Sequence, residues 1–487
     1  MLDHARLAGR AEPSTVTIVD GTITAIGDGD AAAPRPGIER VELAGATLLP
    51  GLWDSHVHIE QWAVARKRLD LTGATSARSA ADAVATAART RPPGEAIVGY
   101  GYRDGLWPDP LHSDLLQAAA PDRVVVLQSN DLHTVWLSPA ALARIGSPEH
   151  PTGVLVEAEC YRAMRLLQEH QLVDLDRWVA EATAAAAAKG VTGIIDFEMG
   201  DPLLDWQRRT RQRPSDVRVI CTVYREHLEA AIARGMPSGT IVDGTGGLVE
   251  VGPLKLFVDG SLNSRTALCH DPYPELIGTD RAHGRLETPP DELLGLLRRA
   301  VAGGLHAAVH AIGDRANEIA LDAFEQLGHP GRIEHAQLLG PGDAARFAAL
   351  GVVASVQPAH VLGDRAVADR HWVGRTRRAF PYRDLLDAGA SLELGSDAPV
   401  APLDPWAGIA AAAARTDGEH EAWHPEQRIG IDEALAASSR GRSRPRVGDA
   451  ADLAVIDGDP LRTPATELAG LTVLGTLLAG RWTHPMR

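Results

Sequence analysis

Lysine is nearly absent from this chain. Of 48 lysines and arginines only Lys67, Lys189 and Lys255 are lysines, so a cationic group is almost always a guanidinium. Cysteine is scarce as well: Cys160, Cys221 and Cys269 are widely spaced and odd in number, which excludes a disulfide framework or a Cys-rich zinc site and reads as buried thiols. No run of about 18 apolar residues occurs, so no membrane-spanning helix is expected. The first residues carry Asp3, Arg6, Arg10 and Glu12 without the apolar stretch of a secretion signal, and a cytoplasmic location is expected. Positive charge is in deficit, with a net charge of −16. Such a field attracts neither nucleic acid nor an anionic membrane. The expected partner is a small-molecule substrate, with a homodimer left open as the assembly.

What is present is an ordinary globular composition, 45% hydrophobic and 23% charged. At 487 residues the chain exceeds one typical core, so a large domain plus something smaller is expected. Residues 15–26 alternate around Asp20-Gly21, a hairpin signal. Residues 452–458 and 471–480 read as further short strands. The two ends therefore predict one small β-sandwich domain, from residues 1–50 and 441–487. Between them apolar strands alternate with Ala- and Leu-rich helical stretches, the pattern of βαβ units. Eight strands are expected, at 51–58, 191–197, 218–224, 253–259, 305–310, 331–335, 352–357 and 391–397. Eight such units predict a (β/α)8 TIM barrel over residues 51–440.

Residues 59–190 separate the first two strands, far more than one crossover needs, which predicts an inserted subdomain. It has strand-like runs at 96–100 and 123–128. Its Trp62, Tyr102, Trp107 and Trp136 fit either a substrate pocket or a local core.

Strands alternate faces, so Asp54, His56 and His58 share one face near the C-terminal mouth of the first strand. A His-x-His pair alone fits a hydrogen-bonded core as well as a metal site. His310, His335 and Asp397 stand at the ends of later strands, and barrel sites are built at that end. Together they offer four imidazoles and a carboxylate, a set suited to zinc or a similar divalent ion. Lys255 falls on the interior face of the fourth strand, with Leu254, Leu256 and Val258 toward the helices. It either snorkels or pairs with Asp259, or it performs amine chemistry that a guanidinium cannot, such as carboxylation to a carbamate. Lys189, before Gly190 at a helix end, reads as structural.

The segments Pro50–His58, Leu254–Leu262, Ser264–Ala267, His310–Ala316, Arg332–Gln337 and Gly395–Val400 resemble the amidohydrolase superfamily, and within it the amidohydrolase family 3 branch of N-substituted formamide deformylase-like proteins. The resemblance runs nearly end to end. It implies that His56 and His58 bind one metal ion, that His310 and His335 bind a second, and that Lys255 bridges them as a carbamate. Two Zn2+ per chain are thus expected, with Asp397 as ligand and general base. The stretch Asn130–Trp136 is similar to a polar motif of the family, which implies that Asp131 and His133, together with Arg265, face the substrate. Two departures stand out: Asn263 replaces a frequent glycine, and residues 434–448 are short and Arg-rich.

The expected reaction is hydrolysis of a non-peptide carbon-nitrogen bond by metal-activated hydroxide, with Asp397 taking the proton and returning it to the departing amine. A mononuclear deaminase or cyclic amide hydrolase with Lys255 as a free amine is the first alternative, and a catalytically inactive interaction protein the second. His360, in Gln357-Pro358-Ala359-His360, fits either oxyanion stabilisation or loop capping.

Overall fold

The computed structural model describes residues 1–7, 12–28, 39–102, 104, 107–129, 134–156, 158–168 and 175–486. It resolves into two compact units, Met1–Ile59 with Thr183–Arg487, and Glu60–Ala182.

The first unit holds eight strands in chain order: β1 (Leu52–Val57), β2 (Val191–Asp196), β3 (Arg218–Tyr224), β4 (Val249–Phe257), β5 (Ala307–Ala311), β6 (Arg332–His335), β7 (Val353–Val356) and β8 (Leu392–Leu394). Every neighbouring pair is parallel. The sheet closes just beyond β8, where Asp397 N donates to His56 O at 2.7 Å and His58 N to Ala398 O at 2.9 Å. Gly395 makes this seam possible. A Cβ there would stand 2.6 Å from the His56 amide nitrogen, inside any tolerable contact. This closed parallel sheet with helices between its strands is a TIM barrel.

The crossover helices follow from the sequence. Pro290–Ala302 starts with proline and carries Asp291 and Glu292 in its first turn, which favours the positive helix end. It buries Leu293, Leu297 and Ala300 on one face. The fourth strand begins earlier than the sequence pattern suggests, at Val249, because Gly252-Pro253 does not end it. A register shift between Cys221 and Val223 of β3 absorbs the proline, as bulges do.

Both chain ends form a second sheet in this unit, from Leu2–Leu7, Pro13–Val19, Thr22–Asp28, Val41–Glu42, Thr47–Pro50, Leu453–Ile456, Val473–Leu478 and Arg481–His484. Asp20 and Gly21 take φ of 47° and 73°, with Val19 opposite Thr22, as a two-residue primed turn requires. Leu49 pairs with Ala454, which joins the two ends. Arg218 of β3 grips Asp452 through Nε (2.6 Å) and Nη2 (3.1 Å), fixing this sheet to the barrel.

The second unit contains a five-stranded sheet in the order Val154–Val156, Thr134–Leu137, Val125–Ser129, Ile97–Tyr102, Leu69–Asp70. Its helix Ala77–Thr90 opens on a Ser76 capping box. Tyr102 and Trp136 are wholly buried in its hydrophobic cluster, with Trp107 against them, so these aromatics form a local core. Among the described residues, no helix is long and apolar enough to cross a membrane.

Candidate metal centre

Cross-strand register stacks the barrel interior. Lys255 lies opposite Ala308 and Phe257 opposite His310, and Ala308 and His310 lie opposite Arg332 and Glu334. Small Ala308 leaves room for the Lys255 stem. Lys255 is 2% exposed, and its Nζ lies 4.8 Å from the Phe197 ring centroid and 4.7 Å from that of Phe257. Asp259 does not pair with it. Its Oδ2 accepts from Leu268 N (2.8 Å) and Gly313 N (2.9 Å), and its Oδ1 from Ile312 N (3.0 Å). Asp259 therefore holds the loops after β4 and β5, while burial lowers the Lys255 ammonium to about 8.

At the mouth, Asp397 is brought to the histidines by the barrel seam. Its Oδ1 is 3.4 Å from His58 Nε2 and 3.6 Å from His56 Nε2. Its Oδ2 faces His360 Nε2 at 3.9 Å. The donor atoms of His56, His58 and Asp397 all lie within 4.8 Å of one another, and those of His335, His360 and Asp397 do the same. His310 stands beside the second group, its ring centroid 4.5 Å from that of His335.

Two of these residues reach the centre only through unusual backbone. His335 takes φ 77° and Asp397 φ 57°. Strict alternation from Arg332 and Glu334 would send His335 toward the helices, and the left-handed turn brings it back beside His56, centroid to centroid 4.9 Å. Such φ values cost energy in non-glycine residues and concentrate at functional sites.

The outer nitrogens of His56, His310 and His335 are tied, while His58 Nδ1 is buried without a partner among the described residues. His56 Nδ1 contacts Glu334 Oε2 at 2.7 Å, and since a carboxylate only accepts, Nδ1 carries the proton and Nε2 the lone pair. His335 Nδ1 contacts Gln357 Oε1 at 2.8 Å, while Gln357 Nε2 donates to Ser355 O at 3.4 Å. His310 Nε2 donates to Gly260 O at 3.1 Å, which leaves its Nδ1 as the acceptor. Metal-ligating histidines are oriented by such bonds. Phe197 adds a ring stacked on His56 at 3.9 Å.

Burial keeps these imidazoles neutral, lowering His56 to about 4 and His310 to about 3, and carrying His335 well down. Burial taken alone would raise the Asp397 carboxyl. The His58 hydrogen bond and the field of His56, His335 and His360 outweigh it and hold Asp397 well below the usual carboxylate range. Likewise burial opposes protonation of His58, and Asp397 reverses the sign and raises it. The neutral imidazoles of His56, His310 and His335 around an ionised carboxylate are the donor set a divalent cation takes.

Of the residues singled out in the sequence, His56, His58, Lys255, His310, His335 and Asp397 thus meet at one end of the barrel. Arg265 pairs through Nη1 with Glu275 at 3.3 Å and is half-exposed. Asp131 and His133 lie outside the described residues. Sequence reasoning gave no role to Glu334, Arg332 or Gln357. Glu334 is fully buried between His56 and Arg332, whose Nε lies 2.5 Å from Glu334 Oε1 and whose Nη1 lies 2.8 Å from Glu393 Oε2. The alternation of Arg332 and Glu334 onto the interior face was the available signal. Asp54, which shares the His56 face, is spent on the seam: its Oδ1 accepts from Ser396 N at 2.9 Å and His56 N at 3.2 Å.

Comparison with known proteins agrees with this geometry. Residues 39–484 match the model of the amidohydrolase family described as Amidohydro_3. The chain belongs to the amidohydrolase family. It is 30% identical to Protein LONG AFTER FAR-RED 3 of Arabidopsis thaliana over 84% of this chain and 76% of that protein. It is 26% identical to N-substituted formamide deformylase of Arthrobacter pascens over 92% and 90%. A metal-dependent hydrolase of Pyrococcus horikoshii superposes with a TM-score of 0.80 at 25% identity, covering 95% of this chain and 98% of that one. This amidohydrolase is accordingly a hydrolase on a TIM barrel with candidate His/Asp metal sites.

Proposed function

We propose that the chain hydrolyses a non-peptide carbon-nitrogen bond of a small molecule, with two divalent ions, expected to be zinc, at the mouth of the barrel. The observation that carries this is the Asp397 carboxylate, whose donor atoms lie within 4.8 Å of those of His56 and His58 and of that of His335, with His310 beside His335 and the outer nitrogens of His56, His310 and His335 already hydrogen-bonded. His56 and His58 would hold one ion and His310 and His335 the other. Likeness to N-substituted formamide deformylase supports an amide substrate.

Lys255 would hold the pair as a carbamate, formed when its neutral amine adds carbon dioxide and releases one proton to solvent. Its amine lies among three hydrophobic or aliphatic neighbours, Phe197, Phe257 and Ala308, and burial makes the neutral, nucleophilic form accessible near pH 8. Bound divalent ions would supply a water with its pKa lowered to about 7 and would polarise the scissile carbonyl. Asp397 accepts the proton as the water oxygen bonds to the carbonyl carbon. It then passes that proton to the nitrogen as the carbon-nitrogen bond breaks, so the amine leaves neutral.

The test is metal analysis of the purified protein combined with hydrolysis of a panel of N-substituted formamides, N-acyl amines, cyclic imides and Xaa-Pro dipeptides. Two ions per chain and release of amine from the formamides or N-acyl amines support the reading. One ion at full activity, a Lys255→Ala variant that keeps metal and activity, or cleavage confined to the dipeptides would contradict it.

A further inference from the structure

His360 is the one imidazole of the centre that does not come from a strand end. It sits in the first turn of the helix Pro358–His371 and is 8% exposed. Its backbone N–H donates to Gln357 O at 3.0 Å, and Gln357 also holds His335. One turn of chain therefore carries both His360 and the residue that holds the His335 ring. Its Nε2 is buried and has no hydrogen-bond partner among the described residues. An unpaired buried polar nitrogen is costly and calls for an explanation.

We propose that His360 is a catalytic residue whose Nε2–H donates a hydrogen bond to the carbonyl oxygen of the substrate as negative charge develops there, and that it is not a metal ligand. The claim rests on the hydrolase reading above. Two relationships separate the roles. First, the second ion already has two imidazoles with tied outer nitrogens, His310 and His335, whose rings stand 4.5 Å apart, centroid to centroid. Second, Asp397 divides its oxygens: Oδ1 faces the His56 and His58 pair, Oδ2 faces His360. At 3.9 Å the gap between Nε2 and Oδ2 is too long for a hydrogen bond and wide enough for one substrate group to touch both. A donor fixed where charge appears, in a water-poor site, acts most strongly on the transition state. No bond to His360 forms or breaks, and its proton stays on the ring.

The experiment uses the zinc-loaded full chain with His360→Ala and His360→Gln, the second retaining an N–H donor. Metal per chain is read by elemental analysis. Affinities for tetrahedral methylphosphonate and planar acetate are read by calorimetry, and kcat and KM are measured on the best amide of the panel. The expected result is unchanged metal content and a kcat loss of about 10²- to 10³-fold in the alanine variant with KM within about threefold. Methylphosphonate binding should weaken at least tenfold (about 1.4 kcal/mol) while acetate changes little, with partial recovery in the glutamine variant. Loss of an ion per chain would make His360 a ligand and overturn the proposal. Equal weakening of both anions, or an unchanged kcat, would overturn it in favour of a structural role. Wild-type protein that cleaves no amide yet shows the phosphonate-selective loss sinks the amide reading and leaves the donor role standing; wild-type protein that takes up no metal sinks both.

Discussion

His56 and Glu334 are 2.7 Å apart and both are buried, although 278 residues separate them in the chain. The carboxylate fixes which nitrogen of the imidazole carries the proton, so the orientation of a first-strand ligand is decided by the sixth strand. Replacing Glu334 by Gln keeps the volume and removes the charge that Arg332 and His56 share. The expected outcome is a loss of about 10- to 100-fold in zinc affinity with the fold retained. Competition with a fluorescent chelator measures it, and an unchanged affinity would show that Glu334 serves Arg332 alone.

Asp397→Asn preserves shape and loses the proton acceptor. A fall in kcat of about 10²- to 10⁴-fold is expected, with little change in KM. Steady-state kinetics on a responsive amide decides the matter. A variant retaining half of its turnover would move the base elsewhere.

Lys255 gives a pH signature in the metal-free protein. Burial lowers its ammonium from the ordinary 10.5 to about 8. Between these values the unfolded chain holds more protons than the folded one, so this group makes stability rise with pH from about 8 to 10.5 and withdraws that stability as pH falls through 8. Urea unfolding of wild type and Lys255→Met across this range should show the slope in wild type and its reduction in the variant. Equal slopes would place the charge change on another group.

Gly395→Ala tests the barrel seam. The added methyl meets His56 N at 2.6 Å, a backbone atom with little freedom to retreat. Destabilisation of about 1–3 kcal/mol by urea unfolding is expected, together with weakened metal binding, because the same seam carries Asp397. A neutral substitution would mean that the seam opens readily.

The barrel was legible because its strands are short apolar runs between helical stretches, and Lys255 stood out in a chain that otherwise uses arginine. The ends of the strands were less so. The eighth strand reads as continuing to Asp397, yet its ladder stops at Leu394 and Asp397 turns to positive φ. Alternation alone would have turned His335 outward. Glu334 and Gln357 act through partners on other strands, which no local pattern reveals. His360 was visible as a residue near a strand end, but its unpaired Nε2 and its place opposite Oδ2 of Asp397 exist only in three dimensions.

The central claim is a two-ion hydrolytic centre, and the most direct measurement is titration of metal-free protein with zinc while following amide hydrolysis. The account predicts activity that reaches its plateau at two ions per chain and a Lys255→Ala variant that never reaches it. A plateau at one ion, or full hydrolysis in the presence of excess chelator, would contradict it.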